Sequence, residues 1–290
     1  MLSILIPTYN QKVTTLVTAL ARQAEATGVP YEIIVRDDAS TIDTNPKTVI
    51  NTIQFRKNQE NQGRTATRLL LAEEARFNHL LFLDSDVRLV KDDFVATYLN
   101  LTEKPVVYGG IIYTRETYTP ECSLRWHFGN ERESLTAEKR NKTPYKVLIS
   151  SNIFVQKSFF LELSARFRES RYGQDLIMGA YFKSLQVPVT HINNQVEHMG
   201  LESNETFLRK ARDAAGTVYA SYENKEFRTY ASSLINEFDT WRRFGISRPL
   251  ALLYKKGHKT AERILSKESP SMFLFDMYRL AYVSHLHHNQ

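Results

Sequence analysis

A single cysteine, Cys122, stands among 290 residues. One thiol excludes an intrachain disulfide framework and fits a reducing, cytoplasmic setting. No apolar run approaches the roughly 20 residues of a membrane-spanning helix. The opening MLSILIPTYN has no basic segment and turns polar early, so it reads as a strand and not as a signal peptide. Internal repeats and low-complexity linkers are absent. PTYNQKVTT, after the first apolar run, contains no glycine, which argues against the glycine-rich phosphate loop of a nucleotidyltransferase. Dense basic patches interleaved with stacking aromatics are also missing, so no nucleic-acid partner is expected.

What is present is ordinary globular material, 42% hydrophobic and 24% charged, with a net charge of +6. Residues 205 to 290 hold 14 Lys/Arg against 9 Asp/Glu and carry most of that excess. A basic tail of this kind suits an anionic membrane or an anionic substrate, or is simply a solvated surface. Over the first 100 residues strand and helix signals alternate. LSILI is followed by Val13, Leu16, Val17, Leu20, Ala21 and Ala24 at helical spacing, with Gly28 where a C-terminal cap belongs. YEIIV, TIQF and HLLFL read as further strands, and NQGRTATRLLLAEEA as a loop entering a helix. Pro46 can open a short helix. Such alternation predicts an α/β fold, a mostly parallel sheet flanked by helices. KVLISSNIFVQ and PVTHI read as later strands, the second as the last, and the segment 114–146 as a long polar loop. From Ser203 onward the chain reads as helical, with Ser203 or Asn204 able to cap the first helix.

In a sheet of this type ligands bind beyond the carboxyl ends of the strands. Pro7 and Tyr9 follow the first strand, Asp37 and Asp38 the second, Asp84 and Asp86 the fourth. Two carboxylates at the end of the buried HLLFL run are costly unless paired. Asp-x-Asp on a turn can share one hard divalent cation, Mn2+ or Mg2+, with a substrate diphosphate; a helix cap or turn is the plainer alternative. A carboxylate at Asp38 can accept a hydrogen bond from a base N–H, and Arg64, at a glycine-led helix start, can contact a base or phosphate. Asp175 in YGQDLIMGAYF is an N-cap or a general base. His198 in VEHMG is a structural histidine or a third metal ligand.

Taken in order, SILIPTYN, EIIVRDDAST, NQENQGRTATRLLLAEEA, LLFLDSDV, SSNIFVQKSFF, YGQDLIMGAYF and VEHMG resemble the family 2 inverting glycosyltransferases of GT-A fold. The resemblance implies a GT-A-type, Rossmann-like catalytic domain over 1–202 with a helical C-terminal extension over 203–290. It also implies transfer of a sugar from a nucleotide-diphospho-sugar donor, a UDP-sugar, to a hydroxyl of a glycan or lipid-linked glycan. By position Pro7, Tyr9 and Asp38 would hold the base with Arg64 nearby, and Asp84 the ribose or donor sugar. Asp86 and His198 would bind the metal, and Asp175 would deprotonate the acceptor. The family pattern has Glu-Asp where this chain has Gln174-Asp175, and Asp-Asp-Gly-Ser where it has Ala39. CSLRW at 122–126 is similar to the Gln-x-x-Arg-Trp motif of processive synthases but lacks the glutamine and precedes Gln174-Asp175, so a non-processive enzyme is expected. Gln174, Arg125 and Trp126 could line the acceptor side, Trp126 equally the core. A non-catalytic sugar-nucleotide-binding scaffold of the same fold is the alternative. The stretch TWRRFGISRPLALLYKKGHKTAERIL is either a peripheral membrane contact or a helical subdomain or dimer contact.

Overall fold

The computed structural model of the chain describes residues 1–45, 51–164, 174–224 and 233–289, with the side chains of 174–176 outside that description. The main sheet has seven strands: β1 (Leu2–Thr8), β2 (Tyr31–Asp37), β3 (Ile53–Lys57), β4 (His79–Leu83), β6 (Val106–Tyr108), β8 (Asn152–Gln156) and β9 (Val189–His191). Their order is β3-β2-β1-β4-β8-β6-β9. β8 alone runs against its neighbours, with Leu81 opposite Phe154; the pairs of β1 with β2 and β4 are parallel. The helices of this part are α1 (Thr14–Ala26), α2 (Arg64–Glu74), α3 (Phe94–Leu99), α4 (Ser123–Phe128), α5 (Ala137–Asn141), α6 (Lys157–Ser164) and α7 (Gln174–Ser184).

The period-two alternation of the strands explains the layers. Leu2, Ile4 and Ile6 of β1, Ile33 and Val35 of β2, and Leu81 and Leu83 of β4 point to one face, where they meet Leu16, Val17 and Leu20 of α1 and Phe94 and Tyr98 of α3. Leu5, Ile34, Leu80 and Phe82 point to the other face and meet Leu71 and Ala72 of α2, with Leu163, Tyr181 and Phe182 from α6 and α7. Both faces are covered, so the strands read as continuous apolar runs. Thr27 and Gly28 (φ +67°) close α1 through bonds to the Ala24 and Glu25 carbonyls.

A second, three-stranded sheet decides where the site lies. β5 (Val87–Leu89) pairs antiparallel with β10 (Val196–His198), and β10 runs parallel to β7 (Ile111–Ile112). His198 stands opposite Val87 in that register. PVTHI is therefore not the last strand: three residues of VEHMG form one more, because Val196 is fully buried and the chain still has strand partners to find. The segment 114–146 is also not an open loop. It folds into α4, α5 and single helical turns, and Arg140 ties it down. That guanidinium, 1% exposed, donates to the carbonyls of Leu135, Gly109 (3.2 Å) and Ile192 (2.6 Å), and its Nε to His191 Nδ1 (3.2 Å). A side chain on Gly110, at φ +97°, would come within 2.7 Å of it, so glycine is required there. The helix expected at Pro46 lies outside the described residues.

Beyond β10 the described elements are helices: α8 (Asn204–Glu223), α9 (Ser233–Arg243), α10 (Ser247–Leu265) and α11 (Met272–His288). Ser203 caps α8 by accepting from the Thr206 amide. These helices enclose their own core around Phe207, Tyr219, Phe238 and Phe275, to which α4 contributes Leu124 and Phe128.

Candidate active site

The strand order turns at β1, with β2 on one side and β4 on the other, and the crevice above such a point is where open α/β sheets hold ligands. The loops over it are locked together. The Asp38 amide donates to the Thr8 carbonyl (2.9 Å), and the Asp84 amide to that of Ser151 (3.2 Å). Asp37 holds its own turn, accepting from the Ser40 amide and the Thr44 hydroxyl at 2.8 Å each. Ala39 sits in that turn at φ +62°, the left-handed region that the glycine of the resembled motif would occupy without strain.

Asp38 is 5% exposed and clasps the start of α2. Its carboxylate accepts from Asn58 Nδ2 (2.8 Å) and from the amides of Gln62 (2.9 Å) and Gly63 (2.8 Å). A carboxylate offers about four acceptor directions, so one is left for a ligand. Pro7 is half-buried at the same edge, and Tyr9 is exposed beside it. Arg64 opens α2 behind Gly63 (φ +83°) and acts electrostatically on Asp84 and Asp86.

One turn further along α2, Arg68 answers the question raised by two carboxylates at a buried strand end. Its guanidinium, 8% exposed, forms an ion pair with Asp84 and donates to the Ser150 carbonyl at 3.4 Å. Burial works against the charge of Asp84, but Arg68, with Arg64 and His198, holds its carboxyl below the usual range. Asp86 goes the other way. Burial and the Asp84 charge raise it, with His198 opposing. Two carboxyls separated in sequence only by Ser85 are thus pushed in opposite directions by their surroundings.

His198 Nε2 is 3.5 Å from Asp86 Oδ2, and Nδ1 is buried without a hydrogen-bond partner. The Met199 amide donates to the Asp86 carbonyl at 2.8 Å. A Cβ on Gly200 would collide with the Asp86 side chain, so the backbone can pass this close only at glycine. The imidazole Nε2, which faces Asp86, and the Asp86 carboxylate together suit a divalent ion. Among the described residues no third His, Cys, Asp or Glu completes a cluster. A hard ion that takes one or two protein ligands, with phosphate oxygens and water filling the rest, fits that donor set.

Behind His198 lies a buried layer. The Tyr113 ring is 5.6 Å from the imidazole, and its hydroxyl donates to Glu133. Arg125 donates to Tyr113 Oη (2.6 Å) and Glu133 (3.0 Å), lies 3.8 Å from Glu202, and is 9% exposed. Its guanidinium faces inward. Trp126 donates to the Thr114 carbonyl (2.7 Å) and packs on the main core. Gln174 and Asp175 begin α7; their side chains lie outside the described ones. Sequence reasoning missed Arg68, Asn58 and Tyr113. The spacing of Arg64 and Arg68, four apart on a helix aimed at the site, was a usable signal for the first.

Residues 3–163 match the family described as Glycosyl transferase family 2. The chain belongs to glycosyl transferase family 2. The match covers the strands and the start of α2 that carry Pro7, Tyr9, Asp38, Arg64, Asp84 and Asp86; Asp175 and His198 lie beyond it. No curated protein matches this glycosyltransferase. Among solved structures, glucosyl-3-phosphoglycerate synthase from Mycobacterium tuberculosis, in complex with Mn2+, UDP and glucosyl-3-phosphoglycerate, is similar at 14% identity and a TM-score of 0.50 over 75% of this chain and 78% of that one. S. aureus TarS is similar at 19% identity and a TM-score of 0.46 over 75% of this chain; the match spans only 39% of TarS. The fold is GT-A-type, with a helical C-terminal extension. No described helix is long and apolar enough to cross a membrane.

Proposed function

We propose that this glycosyltransferase moves a sugar from a UDP-sugar to a hydroxyl of a glycan or lipid-linked glycan, with inversion at the anomeric carbon, in the cytoplasm and in the service of polysaccharide or glycoconjugate synthesis. The observation that carries the reading is the Asp84–Asp86 turn set against Arg68, Arg64 and His198 above the β1/β4 crevice. Pro7 and Tyr9 form the wall for the base, and the last acceptor direction of Asp38 takes its N–H. Arg64 supplies positive charge beside the diphosphate. Asp84, fixed by Arg68, accepts from the ribose or donor sugar.

Asp86 and His198 would hold Mn2+ or Mg2+. When bound, the ion offsets charge on the diphosphate and favours its departure. Asp175 takes the proton of the acceptor hydroxyl as that oxygen bonds to the anomeric carbon. The bond from that carbon to the diphosphate breaks in the same step, and UDP leaves with the electron pair. Holding the two reactants in line supplies much of the rate. The solved synthase carrying Mn2+ and UDP supports this reading by analogy of fold.

The test is a UDP-release assay over a panel of UDP-sugars and glycan acceptors. Asp175→Asn should cut turnover by about 10²–10⁴-fold, the usual worth of a general base, and leave UDP affinity unchanged. Full turnover in Asp175→Asn would remove the base from that position, and UDP binding without turnover on any acceptor would favour a scaffold.

A further inference from the structure

α10 carries a face that neither the fold nor the reaction uses. Its buried side, Leu250, Tyr254 and Leu265, packs into the helical core. At 3.6 residues per turn, Arg248, Leu252, Lys255, Lys256 and Lys259 fall within about 100° of arc on the outer side, with Leu253 on its flank. All are exposed, Leu252 at 55% and Leu253 at 64%. Phe244, just ahead of the helix, is 76% exposed. Residues 242–264 hold seven Lys/Arg and one acidic residue, Glu262, which borders the arc beside Lys255 and is half-buried in a pair with Arg212 of α8. Arg263 falls inside the same arc, and these five outer cations have no carboxylate partner among the described residues.

We propose that the outer face of α10 docks on a lipid bilayer carrying anionic headgroups. The charge is complementary, and the arrangement suits an interface. Leucines enter the headgroup–acyl boundary while the long lysine stems extend their ammonium groups toward the phosphates. A second copy of this chain is a poor occupant, because a two-fold contact would set this cationic arc against itself. Nucleic acid would satisfy the cations and leave Leu252 and Leu253 in water. The inference rests on this surface alone and stands apart from the sugar-transfer reading.

The test is co-sedimentation of the full chain with phosphatidylcholine vesicles, with and without phosphatidylglycerol, at low and high salt. Binding is expected only with the anionic lipid and should weaken with salt. Lys255→Ala/Lys256→Ala/Lys259→Ala should lower the partition coefficient about a hundredfold, near fivefold per charge. Leu252→Ser/Leu253→Ser should lower it about tenfold or more. Both variants change exposed side chains, and unchanged melting temperatures confirm that they fold. Failure to sediment with anionic vesicles overturns the proposal, as does equal binding to neutral ones. So do a dimer in solution that Leu252→Ser/Leu253→Ser dissolves, and tight nucleic-acid binding that the leucine changes leave intact.

Discussion

Replacing Arg125 with methionine keeps the length of the side chain and deletes a guanidinium that is 9% exposed. Its partners are little more accessible, Glu133 at 17% and Glu202 at 15%, so solvent screens the pairs weakly. Removing one member of a buried ion pair costs about 3–5 kcal/mol. Here Glu202 keeps Lys210 at 3.0 Å and Glu133 keeps the Tyr113 hydroxyl. The lower end, about 3 kcal/mol, is therefore expected at pH 7, or about 6 °C in melting temperature for a chain of this size. The pH dependence follows from Glu202. Burial opposes its charge, but Arg125 and Lys210 outweigh burial and hold its pKa below the ordinary value. That stabilisation is complete above the ordinary glutamate pKa of about 4.3 and is lost as the pH falls through the depressed native pKa. The gap between wild type and Arg125→Met should thus be widest near neutrality and narrow below about pH 4.3. Urea unfolding at several pH values measures it. Arg125→Lys should recover little, since an ammonium cannot fork to two carboxylates. A loss under about 1 kcal/mol at pH 7, with a raised KM for the acceptor, would refute the argument and return Arg125 to the acceptor side.

Arg68→Met should cost about 3–5 kcal/mol by stranding Asp84, and Arg68→Met/Asp84→Leu should recover most of it; equal stability of the two variants would deny the pair. Ala39→Gly relieves a left-handed alanine and should raise stability by about 0.5–1 kcal/mol net of chain entropy, read as a small rise in melting temperature with UDP affinity unchanged. Gly200→Ala should displace Asp86 and weaken Mn2+-dependent UDP binding by about 10–100-fold, as perturbing a ligand's support commonly does. Calorimetric titration checks it, and unchanged affinity would mean that Asp86 does not act from this position.

The sheet was legible because its strands are apolar on both faces and bounded by sharp polar turns. LSILI, YEIIV and HLLFL had no other way to be buried. The carboxylates were legible as a group for the same reason, since each follows such a strand. Arg64 and His198 were named with them, but the ion pair of Asp84 with Arg68 was not. Arg68 sits mid-helix, where an arginine reads as a solvated residue, and only the docking of α2 over β1 turns it inward to Asp84. VEHMG was too short to declare a strand, and its pairing with VRL, over a hundred residues earlier, has no local trace. Arg140 and Arg125 lay in a segment whose polarity suggested a loop. They are buried because backbone carbonyls in one case and carboxylates in the other receive them. The departure at Ala39 was visible as a missing glycine, but its strain lies in a positive φ that the sequence does not carry.

The measurement that tests the site most directly is thermal stability with UDP and UDP-sugars, with and without Mn2+, on wild type, Asp86→Asn and His198→Ala. A ligand at a hundred times its dissociation constant contributes about 2.7 kcal/mol, or about 5 °C here. A Mn2+-dependent rise of that size in wild type, absent in both variants, is the predicted result. A rise that ignores Mn2+, or that survives in Asp86→Asn, would contradict a metal–diphosphate site at Asp86 and His198.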